Sequence, residues 1–199
     1  MSYIIHTQGL FDTKTLPPDP SKFGVPGGNN ASISKICFDY IRKILPDGKT
    51  ILELGSGWGT SALSKYYKMY SIEHDIRFIN SYDSTYIHAP IKLYNDKWKA
   101  PNIPQNDGWF DVDKLSKLSE IKYDLILVDG PPGWLNSAGP GKTIGRGGFY
   151  KHLDLFNTNV PIIIDDINRE AEKILLEKLS KKLNKTYTIL NDEVTVIIK

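Results

Sequence analysis

The chain has 199 residues, of which 40% are hydrophobic and 24% charged, with a formal net charge of +2. That is ordinary for one globular domain with a proper core, and too little positive charge to make a nucleic-acid surface by itself. Cys37 is the only cysteine, which excludes an intramolecular disulfide.

No apolar run approaches the ~18 residues of a membrane span, and the first residues lack a basic-then-apolar signal pattern. The expected location is therefore cytoplasmic, with no membrane partner. Residues 1–31 are broken by Pro17, Pro18, Pro20 and Pro26 and by Gly24, Gly27 and Gly28, so little regular structure is expected there. This arm reads either as a wrap over a sheet edge or as a flap over an active site. Residues 32–199 read as the main domain. Asn30 or Ser32 can cap a helix running to about Leu45, whose apolar residues recur at three and four. Cys37 lies on that stripe and reads as core.

Residues 51–60, Ile-Leu-Glu-Leu-Gly-Ser-Gly-Trp-Gly-Thr, are the stretch around which the chain is organised. A short buried strand runs into three alternating glycines and then into helical spacing. Such a turn lets a ligand approach the backbone at the carboxyl end of a parallel strand. A dinucleotide fingerprint would need its third glycine at Thr60, which argues against a nicotinamide cofactor. A second strand, residues 70–73, ends at Glu73, about where a carboxylate should meet ribose hydroxyls. A helix is expected near residues 76–84 and a third strand at 91–94. Residues 95–110 read as a loop, and Asp111 opens a helix to about Leu118. Residues 123–129 form an apolar fourth strand ending in Asp129, followed by Gly130-Pro-Pro-Gly133 and a glycine-rich loop to about Phe149. Residues 161–166 form a fifth strand ending in Asp165 and Asp166. Next come a helix from about Asn168 to Leu183 and a hairpin of residues 187–190 and 194–198.

The spacing Glu53-x-Gly55-x-Gly57-x-Gly59 resembles the first motif of class I S-adenosylmethionine (SAM) methyltransferases. The resemblance runs from about residue 32 to the end. It implies a Rossmann-like α/β fold: a mostly parallel seven-stranded sheet with a C-terminal antiparallel hairpin strand, strand seven slipping between five and six. It implies SAM as cofactor, bound by Glu53, Gly55, Ser56, Gly57, Trp58, Gly59, Thr60 and Glu73. Trp109 or Phe110 would supply a ring face to adenine, with Asp111 an acceptor for its amine; equally, these aromatics could anchor a long loop to the core.

In an open parallel sheet, strand-end acids point into one crevice. Asp129, Asp165 and Asp166 would repel one another unless a cation neutralises them, and an all-oxygen set suits Mg²⁺ or Mn²⁺. The trio resembles the metal site of catechol-type, cation-dependent O-methyltransferases. The D-G-P-P-G segment, Arg146 and the D-D-x-x-R of Asp165 to Arg169 resemble small methyltransferases of sugars, such as the glucuronoxylan O-methyltransferases. The resemblance implies methyl transfer to a hydroxyl of a small, sugar-like acceptor, with Asp129 catalytic and Arg146 either pairing a substrate carboxylate or standing as a solvated cation. Pro132 stands where the catechol family has lysine, which leaves Lys142, His152 or a carboxylate as proton acceptor. His74 and His88 carry no assigned role. Asp165 and Asp166 could otherwise simply cap the next helix. Amino-methylating nucleic-acid enzymes carry an aromatic where Gly133 stands, so a nucleic-acid substrate is disfavoured. Oligomeric state, a homo-oligomer included, is left open.

Overall fold

The computed structural model describes residues 33–94, 103, 107–133, 143–190 and, for the backbone, 195–198. The expected arm at 1–31 and most of the loops at 95–106 and 134–142 lie outside these residues.

Seven strands form one sheet: β1 (Thr50–Leu54), β2 (Lys68–Glu73), β3 (Thr85–His88), β6 (Leu125–Val128), β7 (Ile162–Ile164), β8 (Thr186–Ile189) and β9 (Thr195–Ile198). Their order across the sheet is β3-β2-β1-β6-β7-β9-β8. The run from β3 to β7 is parallel throughout, and β9 is antiparallel to both its neighbours. The last strand in sequence thus slips between the fifth and sixth of the sheet, as the resemblance implies. The chain order reverses on either side of β1, opening a crevice at the carboxyl ends of β1 and β6.

Alternation along the strands explains the layers. Ile51, Leu125, Leu127 and Ile163 face one side with Ile33, Cys37 and Ile41 of the α1 region (α1, Lys35–Ile44). Leu52, Leu54, Ile126, Val128, Ile162 and Ile164 face the other, against Leu175, Leu176 and Leu179 of α4 (Glu170–Leu183). Strands buried on both faces are apolar at every position, and each such Ile or Leu contributes about 2 kcal/mol of burial. Ser34 caps α1 by accepting from the Cys37 N–H at 3.1 Å, a little later in the chain than expected. Asn184, at φ 51°, ends α4 in the left-handed region.

Three expectations are corrected. The third sheet strand is Thr85–His88; residues 91–94 supply instead β4 (Ile91–Leu93), which pairs antiparallel with β5 (Gly108–Phe110) in a separate ribbon. Of the helix expected at 76–84 only a 3₁₀ turn, Ile76–Phe78, forms, because Asn80 turns into positive φ at 62°. Beyond Asp111 the chain makes two 3₁₀ turns, Val112–Lys114 and Ser116–Glu120, in place of an α-helix. No helix among the described residues is long and apolar enough to cross a membrane.

Candidate active site

The glycine turn is built from below. Glu53 is 1% exposed, and its Oε2 accepts from Thr60 Oγ1 at 2.7 Å and Ser71 Oγ at 2.9 Å. Thr60 Oγ1 in turn accepts from the Gly57 N–H at 3.0 Å, at the start of α2 (Trp58–Leu63). Burial pushes the Glu53 carboxyl up to about 8, against the pull of those two hydroxyls. Expected to touch the cofactor, Glu53 and Thr60 instead lie behind the turn and hold its shape. Gly59 is likewise buried, with Ile33 against it. Gly55, Ser56, Gly57 and Trp58 stay partly open and make the face a ligand can reach. Gly55 needs its missing side chain: it sits at φ +86°.

Glu73, 2% exposed, ends β2 beside this face. Its Oε2 accepts from the Ser56 N–H at 2.8 Å and Ser56 Oγ at 3.2 Å, and its Oε1 from the N–H groups of His74 and Asp75, both at 2.7 Å. His74 Nδ1 lies 2.8 Å from the same Oε1. Burial would raise its pKa, but the His74 charge and these N–H groups outweigh it and hold Glu73 below the usual range. The Glu73 charge correspondingly raises that of His74, against burial. A ribose meeting Glu73 would have to take the place of Ser56 Oγ or the His74 ring.

The second cluster closes β6 and β7. Asp129, Asp165 and Asp166 each offer an oxygen, and these lie within 4.8 Å of one another, close enough to hold one metal ion. The N–H of Asp129 bonds the Leu54 carbonyl at 3.1 Å and that of Asp165 the Val128 carbonyl at 3.2 Å, so the ends of β1, β6 and β7 stay level. Asp166 adopts φ 59°, a left-handed conformation that returns its carboxylate to the cluster.

Arg146 lies in the middle of these acids. It is 2% exposed. Its Nη1 donates to the Asp165 carbonyl at 2.6 Å; its Nη2 donates to the Asp129 carbonyl at 2.6 Å, Asp129 Oδ1 at 3.2 Å and Asp166 Oδ2 at 2.7 Å. Neither expected role survives: the cation is not solvated, and both terminal nitrogens, Nη1 and Nη2, are turned to the protein's own oxygens. Arg169 Nη1 adds a more exposed pair to Asp166 Oδ2 at 2.9 Å. Burial, then the neighbouring Asp165, raises Asp129 well above the usual carboxylate range, and burial pushes Asp165 up to about 6. The Asp129 side chain nevertheless keeps 26% of its surface open toward the cleft. Two guanidiniums therefore leave the acids short of positive charge.

The two clusters touch. A Cβ placed on Gly55 would stand 3.1 Å from Gly130 Cα and 3.5 Å from the Asp129 carbonyl carbon. The glycine turn and the carboxylates thus share one wall.

Trp109 and Phe110 are core residues, at 0% and 2% exposure. Trp109 stacks on His152 with ring centroids 5.5 Å apart and meets Phe156 edge-on at 6.2 Å. Of the two expectations for these rings, the anchor holds and the open adenine face does not. Phe110 still lies near the end of β2, 6.4 Å from the His74 ring. Asp111 accepts from the Asp113 N–H at 3.2 Å and pairs with Lys92 at 3.4 Å. His152 is held by Trp109, at the far end of α3 (Gly147–Lys151) from Arg146, beside a cavity of about 190 Å³ that Lys92, Tyr94, Phe110 and Lys151 also line. Burial, then the Lys151 charge, lowers its pKa. Lys142 lies outside the described residues. His88 Nε2 lies 3.2 Å from the His74 carbonyl, and Cys37 is fully buried, in keeping with its core reading. The burial of Arg146 is the feature that sequence reasoning misses; its only signal is an arginine in a loop between two strands that end in acid.

No protein-family model matches the chain, and no curated protein matches it in sequence. Solved structures do match in shape. A precorrin-6y C5,15-methyltransferase from Geobacter metallireducens GS-15 superposes with a TM-score of 0.50 over 90% of this chain and 95% of that one, at 11% identity. The fold is that of the class I methyltransferases. A structure of the MycE methyltransferase from the mycinamycin biosynthetic pathway, in complex with Mg and SAH, superposes with a TM-score of 0.51 over 86% of this chain, also at 11% identity. This chain spans about half, 50%, of that MycE chain.

Proposed function

We propose that residues 32–199 form a SAM-dependent methyltransferase domain that transfers a methyl group to a hydroxyl of a small, sugar-like acceptor, assisted by a divalent metal. One observation carries the reading: the glycine turn and a tight trio of strand-end carboxylates meet at Gly55 and Gly130. A donor lying on the turn would bring its sulfonium beside an acceptor held at the acids. The Mg and SAH present with the MycE methyltransferase support the same pairing of ligands.

The donor set fits a hard cation. Asp129, Asp165 and Asp166 supply only oxygen. With the buried Glu172 they make four carboxyls against two guanidiniums, Arg146 and Arg169, which leaves two negative charges when all are ionised. Mg²⁺ or Mn²⁺ bound there supplies a Lewis acid that makes an acceptor hydroxyl easier to deprotonate. The chain does the rest. Gly55 to Trp58 present backbone to the donor, and Glu73 stands ready for its ribose at the cost of displacing a Ser56 or His74 contact. Asp111 borders the adenine side. Asp129, the acid adjoining the turn and partly open, is the group placed to take the hydroxyl proton. With the donor bound there, the acceptor oxygen would bond the methyl carbon as the carbon–sulfur bond breaks, leaving a neutral thioether. Most of the rate comes from holding the two partners in line.

The test is calorimetry with SAM, then methyl transfer to a panel of monosaccharides, sugar acids and phenols, with EDTA and with Mn²⁺ restored. SAM binding, and turnover lost to EDTA and regained with Mn²⁺, is the expected result. A flat SAM titration removes the methyltransferase reading; turnover indifferent to the chelator removes the metal.

A further inference from the structure

Two buried polar atoms stand without hydrogen-bond partners in neighbouring elements. Arg146 Nε, a donor, and Glu172 Oε2, an acceptor, both lack a hydrogen bond, in side chains of residues that are 2% and 1% exposed. Glu172 lies in the first turn of α4, which packs on α3, the helix that Arg146 precedes. The two charges feel each other through the protein. Buried orphans of opposite character are uncommon, because each forfeits its bonds to water without replacing them.

The metal trio bears on the same pair. Arg146 Nη2 occupies Asp129 Oδ1 and Asp166 Oδ2, on two of the side chains a metal would use. A guanidinium and a divalent ion sharing those oxygens would repel each other at close range in a buried site. We infer that Arg146 is a resident counter-cation that a divalent ion displaces, and that Glu172 receives it. In the metal-free state the guanidinium keeps the three acids assembled. When the ion arrives, Nη2 releases the carboxylates, Nε–H turns to Glu172 Oε2, and both orphans are satisfied. The inference rests on the proposed metal site and deepens it: Glu172, which touches no ion, sets the affinity of the site.

The experiment is a Mn²⁺ titration of the full chain by calorimetry, with the electron paramagnetic resonance spectrum of bound Mn²⁺ as second readout. Wild type, Glu172→Gln, Arg146→Met and the double variant are compared, each checked by thermal melting without metal. Glu172→Gln should weaken Mn²⁺ at least ten-fold. Arg146→Met, with nothing to displace, should bind as tightly as wild type or tighter, and the double variant should recover the loss. Arg146→Lys, which keeps the charge, covers the case in which the methionine variant fails to fold; it too should remain sensitive to Glu172→Gln. Unchanged affinity in Glu172→Gln, or loss of binding in a folded Arg146→Met, overturns the exchange while leaving the metal site standing. A wild-type titration with no Mn²⁺ binding removes the metal site and the exchange together.

Discussion

Gly55 and Gly130 meet backbone to backbone: a Cβ on Gly130 would stand 2.8 Å from Gly55 Cα and 3.0 Å from the Leu54 carbonyl oxygen. Two loops from different strands are thereby locked to one spacing. Gly130→Ala should lower stability by about 1–3 kcal/mol, as overpacking does, and weaken SAM binding at least ten-fold. Gly48 is the control. It also has positive φ, +78°, but nothing lies within 4 Å of its Cβ position. Gly48→Ala should cost only local strain, about 1 kcal/mol, with SAM affinity unchanged. Melting curves and calorimetry on both variants decide; equal SAM affinity in the two would mean the contact does not shape the site.

Glu53 makes stability depend on pH. The folded protein holds its proton up to about pH 8, whereas the unfolded chain releases it near 4.5. Raising the pH therefore favours unfolding. The stabilising contribution is complete below pH 4.5 and is lost as pH rises to about 8, by at most ~1.4 kcal/mol per unit. Glu53→Gln should flatten the urea midpoint between those limits relative to wild type. Parallel profiles for the two proteins would refute the assignment.

Asp166 combines left-handed backbone with two ion pairs, to Arg146 at 2.7 Å and Arg169 at 2.9 Å. Asparagine tolerates that backbone and alanine does not, so Asp166→Ala should be about 1 kcal/mol less stable than Asp166→Asn. Asp166→Asn, which keeps an oxygen donor, should also lose less Mn²⁺ affinity than Asp166→Ala, which keeps none. Matching melts in the two variants would show that the backbone strain is not felt.

Gly148 presses α3 onto Trp109: an added Cβ would fall 2.0 Å from the indole Cγ. Gly148→Ala should destabilise by about 3 kcal/mol or force the helix away. Trp109→Leu opens the space at its own cost, so the double variant should be more stable than the sum of the singles. Additive losses would place the strain elsewhere.

The sheet was legible because its central strands are apolar at most positions, as at Ile51, Leu52 and Leu54 or Ile162 to Ile164, and each stops at a glycine or an acid. The carboxylate trio came from those stops. Arg146 did not, because its partners Asp129 and Asp166 stand 17 and 20 positions away and no local spacing encodes that approach. Trp109 and Phe110 misled as a free adenine face for a related reason. Aromatic residues beside prolines look like loop, yet pairing of Phe110 with Ile91 makes them a ribbon seated in the core. Thr85 to His88 escaped notice as a strand because it is an edge strand, only partly buried, with no apolar run to mark it.

The place of β9 has a consequence for biosynthesis. β7, which delivers Asp165 and Asp166, is bordered on one side by β6 and on the other by a strand made after α4 and β8. Until that late segment inserts, Ile162 to Ile164 offer an unpaired ladder to any neighbouring nascent chain. β8 and β9 pair as a hairpin, so the two dock on β7 as one unit and cover that edge in a single long-range step.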